Sequence, residues 1–425
     1  MQRSIYQRIF ILALRGSVTM TQTKSQDEET VELIDLIYSL RNQFEASNHN
    51  SQHEQLKKNA VAQLHTYSRK LMLVGQDPNA AFWELVRRCS ILSPIKIAQD
   101  MGVFRHLNDH GSAAANELAS ISGAEESLIV RILRPLVAEG LLLEVDDEVY
   151  KLTNRGTAFG LPAYDDSISF AIEFMPIVLS NPTFFRNNGY HEPCAHEGLN
   201  TPLASYFQRP DYGLFDYLRD NPVIQAMFIS SMKAQVRSTH LSSSVYPYQQ
   251  KLSASRERDE APIGIVDIGG SQGELLQEIK ASCPGINGRM IVQDRAETFD
   301  SMVVKREGIE LMAHDILTEQ PIKGARVYHM KRILHDWADD KCRIILKHTV
   351  SAMDRDWSIL LIMDAVLPMR NASFSQAMGD HSMLTFGGKE RSEKQWKELL
   401  ASVGLGIVKI YRGPEPEAVL ECRKL

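Results

Sequence analysis

Apolar positions along the chain follow two periods, and the change from one to the other divides it. Val31, Ile34, Ile37, Tyr38 and Phe44 recur at helical spacing after a polar stretch, residues 17–30, that reads as a linker. A polar break over Ala46–His53 separates this helix from a second one ending near Gln76-Asp77-Pro78. From Asn79 the apolar positions become denser. AFWELVRRCSILSPIKIAQDMGVFRHL predicts helices broken at Pro94 and stopped at Gly102. A short helix follows, then a turn at Ser122-Gly123, a longer helix from about Glu125 to Glu139, and Gly140 as its C-cap. Two β-rich runs, Leu141–Val145 and Val149–Leu152, flank the acidic turn Asp146-Asp147-Glu148. Helix, turn, helix and β-wing in this order make a winged-helix pattern.

Residues 161–260 read as mostly helical, with Gly-, Pro- and Asn-rich interruptions around 181–203. Beyond Ala261 strands are predicted at Ile263–Ile268, Met290–Gln293, Ile309–Met312, Val327–Met330 and Ser358–Met363. Helical segments separate most of them, which predicts a mainly parallel sheet. Leu405–Tyr411 and Ala418–Cys422, joined through Gly413-Pro414, predict a hairpin that closes it. The expected fold is α/β: a Rossmann-like domain over 161–425 carrying a helical insert at 161–260. A mostly helical winged-helix domain at 79–160 precedes it, and 1–78 form an extension with helices.

Composition narrows this picture. The 425 residues exceed one ordinary core, and 44% hydrophobic with 24% charged residues is globular. With 47 Lys+Arg against 53 Asp+Glu the net charge is -6, so a chain-wide basic surface for nucleic acid is absent. The wing carries Glu144, Asp146, Asp147 and Glu148 where phosphate contact wants Lys or Arg. The would-be recognition helix offers only Arg131 and Arg134 beside Glu125, Glu126 and Glu139. The winged helix therefore reads as a dimerisation and substrate-lid module, with no nucleic-acid partner.

Five cysteines lie far apart with no CxxC pair, which argues against a disulfide framework or Cys-based zinc site and suits a reducing, cytoplasmic setting. No apolar run approaches the ~20 residues of a membrane span, so no membrane partner is expected. The first residues carry Arg3, Arg8 and Arg15 with no acid before Asp27. Their apolar run Ile9–Leu14 is shorter than the ~7–15 residues of a signal peptide. They read as an extension, or as an upstream start with Met20 the initiator; a mitochondrial-type presequence is the alternative.

The chemistry concentrates where the first parallel strand enters Asp267-Ile268-Gly269-Gly270-Ser271-Gln272-Gly273 and then a helix. Glycines at such a turn allow close backbone approach to a ligand. The spacing departs from the G-x-G-x-x-G dinucleotide fingerprint, and a carboxylate at Asp267 would repel a pyrophosphate. It suits a cofactor with a cationic amino-acid portion, as in S-adenosyl-L-methionine. Asp294 ends the next strand, where an acid meets ribose hydroxyls. Asp315, with Ile316, follows the third strand and is placed for the adenine edge.

DIGGSQG, VQDR, AHDIL, MKRILHDW, LLIMDAVLP and GGKERSEKQW follow one another over residues 263–396. In this order they resemble the small-molecule O-methyltransferases of the plant caffeic acid and flavonoid type, in the branch common in fungal secondary metabolism. The winged-helix segment extends the resemblance to about residues 80–425. It implies a class I methyltransferase domain, His335 as catalytic base, Asp364 and Glu390 as the flanking acids, Lys331 as a cofactor contact, and homodimers with interlocked N-terminal domains. Two positions depart from the pattern. Ser271 stands where many relatives have glycine, and Asp364 is one methylene shorter than the glutamate of many plant members.

These residue types suit methylation of a phenol. A phenol with pKa ~10 is a poor nucleophile until a base takes its proton. A histidine can do so, and a neighbouring carboxylate fixes its tautomer. The sulfonium is already activated, so no metal is required. For a small aromatic acceptor, Met227, Met232, Met383 and Phe386 are candidate contacts, and Asp380 is a candidate for a polar group. His314, His329 and His348 lie outside these signatures. An N- or S-methyltransferase on the same scaffold is the alternative; a metal-dependent catechol methyltransferase and a regulator binding the cofactor as a ligand are more remote.

Overall fold

A computed structural model describes residues 26–45, 51–193, 200–238, 245–252, 263–286, 288–300, 306–413 and 417–425. The N-terminal extension before Gln26, the boundary at Ala261, Cys194 and the turn residue Pro414 lie outside them. Two compact units divide the chain, Met1–Ile91 and Leu92–Leu425.

In the first unit, helices Gln26–Glu45 and Ser51–Val74 pack side by side. The first begins inside the expected linker, because Asp27, Glu28 and Glu29 occupy its first turn, where acids complement the helix dipole. A third helix, Pro78–Arg88, is capped by Asp77, whose Oδ1 accepts from the Ala80 amide at 2.9 Å. The chain breaks after Arg88 rather than at Pro94. Pro94 instead sits in the first turn of Leu92–Asp100, where a missing N–H costs nothing.

The second unit opens with the winged-helix segment. Helices Ala115–Ser122 and Glu126–Ala138 lie between β1 (Ser112–Ala114) and the pair β2 (Leu142–Asp146) and β3 (Val149–Leu152), and the three strands form a small antiparallel sheet in the order β1-β3-β2. The sequence does not announce β1, since three residues carry no readable period. Ile129, Leu133 and Leu136 supply the buried face of the longer helix.

Among the described residues the insert holds helices Pro162–Leu179, Asn181–Asn187, Pro202–Phe207, Leu214–Asp220, Pro222–Ser238 and the short Tyr248–Leu252. The stretch Pro162–Asn187, with mean hydropathy 1.3, is long and apolar enough to cross a membrane, contrary to the sequence expectation of none. It nevertheless buries Phe174 and Ile177 in a protein core with Leu203, Tyr212, Leu214 and Tyr217.

The eight-stranded sheet contains β4 (Ile263–Ile268), β5 (Arg289–Asp294), β6 (Glu310–Ala313), β7 (Val327–Lys331), β8 (Ile359–Leu367), β9 (Arg391–Ser392), β10 (Leu405–Arg412) and β11 (Glu417–Lys424). Its order is β10-β11-β8-β7-β4-β5-β6, with the two-residue β9 beside β8. β4 to β8 run parallel, and the β10–β11 hairpin joins antiparallel to β8. Side chains alternate between two cores. Val266, Tyr328, Met330 and Ile362 pack on one face with Trp396 and Leu346, while Ile265, Val327, Leu361 and Met363 pack on the other with Tyr248 and Leu276. The strand order reverses between β4 and β7, which opens a crevice at the carboxyl ends of the strands.

Candidate active site

The glycine loop lies at that crevice. Gly269 and Gly273 hold φ of +71° and +81°, and a Cβ on Gly269 would fall 2.4 Å from Ile333 Cδ1. Only a residue without a side chain fits there. Gly269 and Gly270 donate to the Gln293 carbonyl at 2.7 and 3.1 Å, and the Ser271 amide donates to Asp294 Oδ2 at 2.8 Å. Asp294 Oδ1 accepts from the Arg295 amide and Thr298 Oγ1, each at 2.8 Å. Three of the roughly four lone-pair positions on this carboxylate are therefore occupied by protein. Asp294 latches the loop to β5 as well as facing the crevice end.

Ser271, the departure from glycine, has φ +50°. A side chain in the left-handed region costs about 1–2 kcal/mol, part of which glycine returns as unfolded-chain entropy. Ser271→Gly is accordingly expected to stabilise the protein by roughly 0.5–1 kcal/mol. Chemical unfolding checks this; a destabilised variant would show that the serine side chain has a role of its own.

The remaining cofactor candidates are spread along the same edge. Asp315 lies past the end of β6 and accepts from the Leu317 amide at 2.9 Å, while Ile316 packs against the core. Lys331 ends β7. Asp267 differs from the others. It is 1% exposed and sits behind Gly270, whose Cβ would lie 2.4 Å from Asp267 Oδ2. The strand-end acids and the glycine loop fit a nucleoside with a cationic amino-acid tail.

The 3-10 turn Leu334–Asp336 follows β7 and carries His335. His335 Nδ1 lies 2.8 Å from Glu390 Oε1, and Nε2 lies 3.5 Å from Asp336 Oδ1. Asp364, on β8, is fully buried, and neither of its oxygens has a hydrogen-bond partner among the described residues. The short side chain thus contributes charge without a bond to the imidazole. Burial opposes protonation of His335, but Asp336, Asp364 and Glu390 outweigh it and push its pKa up to about 10. Burial raises Asp364 to about 7, with His335 pulling it down and Glu390 and Asp336 pushing it up.

Glu390 reaches His335 because two loops are sewn together. At Gly388 a Cβ would lie 2.3 Å from the His335 carbonyl oxygen, and the Lys389 amide donates to that same oxygen at 2.9 Å. Asp380 Oδ1 accepts from the Glu390 amide at 2.9 Å, so this acceptor candidate holds a protein group. Arg391 is completely buried, and it faces away from Glu390. Its guanidinium donates to the carbonyls of Leu334 (2.9 Å) and Trp337 (2.8 Å) and to Asp339 Oδ1 (3.0 and 2.8 Å). Trp396 Nε1 donates to the Ala365 carbonyl at 3.1 Å, tying the same segment to the strand of Asp364. Asp336, Arg391 and Trp396 stand inside the quoted motifs, yet sequence reasoning gave them no role.

The acceptor candidates separate. Met383 and Phe386 join the aromatic cluster of the insert with Phe170, Phe174 and Tyr217. Met227 and Met232 are half-buried on Pro222–Ser238, and Phe228 rather than Met227 packs into that cluster. Phe215 stacks on Trp337 with centroids 5.9 Å apart, which brings the insert against the histidine loop.

A glycine loop at the switch point and a histidine clamped by acids across it define a class I S-adenosylmethionine-dependent methyltransferase. Residues 198–406 match the O-methyltransferase domain family and residues 83–160 the O-methyltransferase dimerisation domain family. The chain is 36% identical over 339 residues to the methyltransferase cfoC of Aspergillus candidus, covering 78% of this chain and 82% of that one. It is 30% identical to the O-methyltransferase opaF of Aspergillus ustus, covering 82% and 83%. Its fold is similar to the crystal structure of OxaC (26% identity, TM-score 0.79, 94% of this chain and all of that one) and to that of a pericyclic reaction enzyme (25%, 0.80, 94% and all). The chain belongs to the small-molecule O-methyltransferase family of plants and fungi, in its secondary-metabolism branch.

Proposed function

We propose that the enzyme methylates a phenolic hydroxyl of a small aromatic or polyketide metabolite, with His335 as general base and without a metal. The observation that carries this is the 2.8 Å pair between His335 Nδ1 and Glu390, set among three acids beside the cofactor loop. The cofactor supplies a methyl group on a sulfonium that needs no further activation. Glu390 accepts from Nδ1–H, which leaves Nε2 as the atom that takes the acceptor's proton. An imidazole whose proton affinity approaches that of a phenol makes this transfer nearly thermoneutral. Asp336 and Asp364 stabilise the imidazolium that forms, and Arg391 keeps the histidine turn in register with Glu390. Phe170, Phe174, Met383 and Phe386 favour a flat apolar acceptor.

The reading extends to organisation. Residues 79–160 are the dimerisation domain of a cytoplasmic homodimer, and 161–425 the catalytic domain with its insert at 161–260. Phe82, Trp83, Leu85 and Val86 on Pro78–Arg88 are exposed in the single chain, as suits a surface covered by a second copy.

Incubation with methyl-labelled cofactor and a panel of phenols, anilines and thiols tests the acceptor class, with NMR locating the new methyl group. Methyl on oxygen, undiminished by EDTA, is expected; methyl on nitrogen or sulfur, or activity lost to EDTA, overturns the reading. The pH profile tests the base. Because His335 must be neutral to act and its pKa is raised, kcat/KM should climb with pH from 6 to about 9. Glu390→Gln removes one of the acids that raise it, so the rising limb should move to lower pH while kcat falls. A limb that stays in place would separate Glu390 from the titration.

A further inference from the structure

Asp267 and His329 are direct neighbours across the β4–β7 ladder, so their side chains leave the same face of the sheet. That face is otherwise built from Ile265, Val327, Leu361 and Met363. His329 is fully buried, and its Nδ1 stands 3.6 Å from Asp267 Oδ1. On its other side, Nε2 lies 3.0 Å from the hydroxyl of Tyr248, which comes from the short helix Tyr248–Leu252. Burial and the nearby Asp267 push the Tyr248 hydroxyl well above its ordinary range, so it donates. An imidazole that accepts at Nε2 carries its proton on Nδ1, facing the carboxylate. Neither oxygen of Asp267 is hydrogen-bonded among the described residues, and the carboxylate lies directly behind the Gly270 backbone. A buried carboxylate is strongly unfavourable unless neighbouring groups supply compensating positive potential. His329 is placed to do so in the free enzyme, and a cation beyond Gly270 would add to it when the cofactor is bound.

We propose that Tyr248 and His329 are positioning residues for the cofactor. Tyr248 orients His329, whose Nδ1 face offsets the burial of the Asp267 carboxylate behind the loop, so that its charge acts through the thin Gly270 backbone on the ammonium of the cofactor's amino-acid tail. This rests on reading the glycine loop as the cofactor loop.

Calorimetric titration with two nucleosides separates this role from packing. S-adenosylhomocysteine carries the ammonium, whereas 5′-deoxy-5′-methylthioadenosine has the same nucleoside without the amino-acid tail. His329→Phe should weaken S-adenosylhomocysteine by ~10-fold and the thionucleoside by less than ~2-fold. Tyr248→Phe should give a smaller loss on the first ligand only. His329→Asn, which keeps a donor toward Asp267, should stay within ~3-fold of the parent for both. Equal losses on the two ligands would reduce the trio to core packing, and no loss on either would also overturn the proposal. A parent protein that binds neither nucleoside would instead defeat the cofactor-loop reading. If His329→Phe does not fold, Tyr248→Phe and His329→Asn decide between the same outcomes.

Discussion

In the His335→Gln enzyme, kcat falls by ~10³-fold while affinity for S-adenosylhomocysteine stays within about twofold. Glutamine fills a similar volume and can still donate to Glu390, but it cannot take a proton at neutral pH. The residual rate is that of an acceptor held beside the methyl group without a base. The cofactor loop belongs to β4 and β5, and its hydrogen bonds to Gln293 and Asp294 do not involve the histidine turn. Binding and chemistry should therefore come apart cleanly. Turnover within tenfold of the parent would remove the imidazole from the mechanism.

Arg391→Met should cost about 3–5 kcal/mol of stability, the range for removing one member of a buried charged network. Methionine approximates the aliphatic stem, so the loss falls on the hydrogen bonds. The carbonyls of Leu334 and Trp337 lose their donor, and Asp339 loses its closest partner. Urea unfolding measures the first effect. A second follows from position: the residue before Arg391 is the partner of His335, so kcat should drop more than cofactor affinity in whatever fraction stays folded. Arg391→Lys should recover only part of either, since one ammonium cannot span carbonyls on both sides of the turn. A shift below about 1 kcal/mol would mean the two loops are held by other contacts.

Much of the fold is legible in the sequence, and the limits have physical causes. Ile263–Ile268 and Val149–Leu152 coincide with strands β4 and β3, because short apolar runs bounded by turn residues have few alternatives. β8 runs on to Leu367, beyond the expected Met363, because Val366 and Leu367 pair with Arg391 and Ser392, a contact no local pattern encodes. Pro94 misled because proline ends a helix in its interior yet sits comfortably in a first turn. His335 and Glu390 could be paired through their motifs. The partners of Arg391 could not, since Leu334, Trp337 and Asp339 meet its guanidinium only through the fold. His329 gives no signal in the sequence because its significance lies across the sheet, in a register of two strands some sixty residues apart in sequence.

The insert and the clamp around His335 differ in kind, and that difference bears on how such enzymes diversify. The clamp is a polar network whose hydrogen bonds from His335, Glu390 and Arg391 are directional, so substitutions there are poorly tolerated. The insert core is aromatic and aliphatic, held by contacts that accept changes of shape when total volume is kept. If the insert lines the acceptor, substitutions there are expected to change which acceptor is taken while the chemistry at His335 is kept.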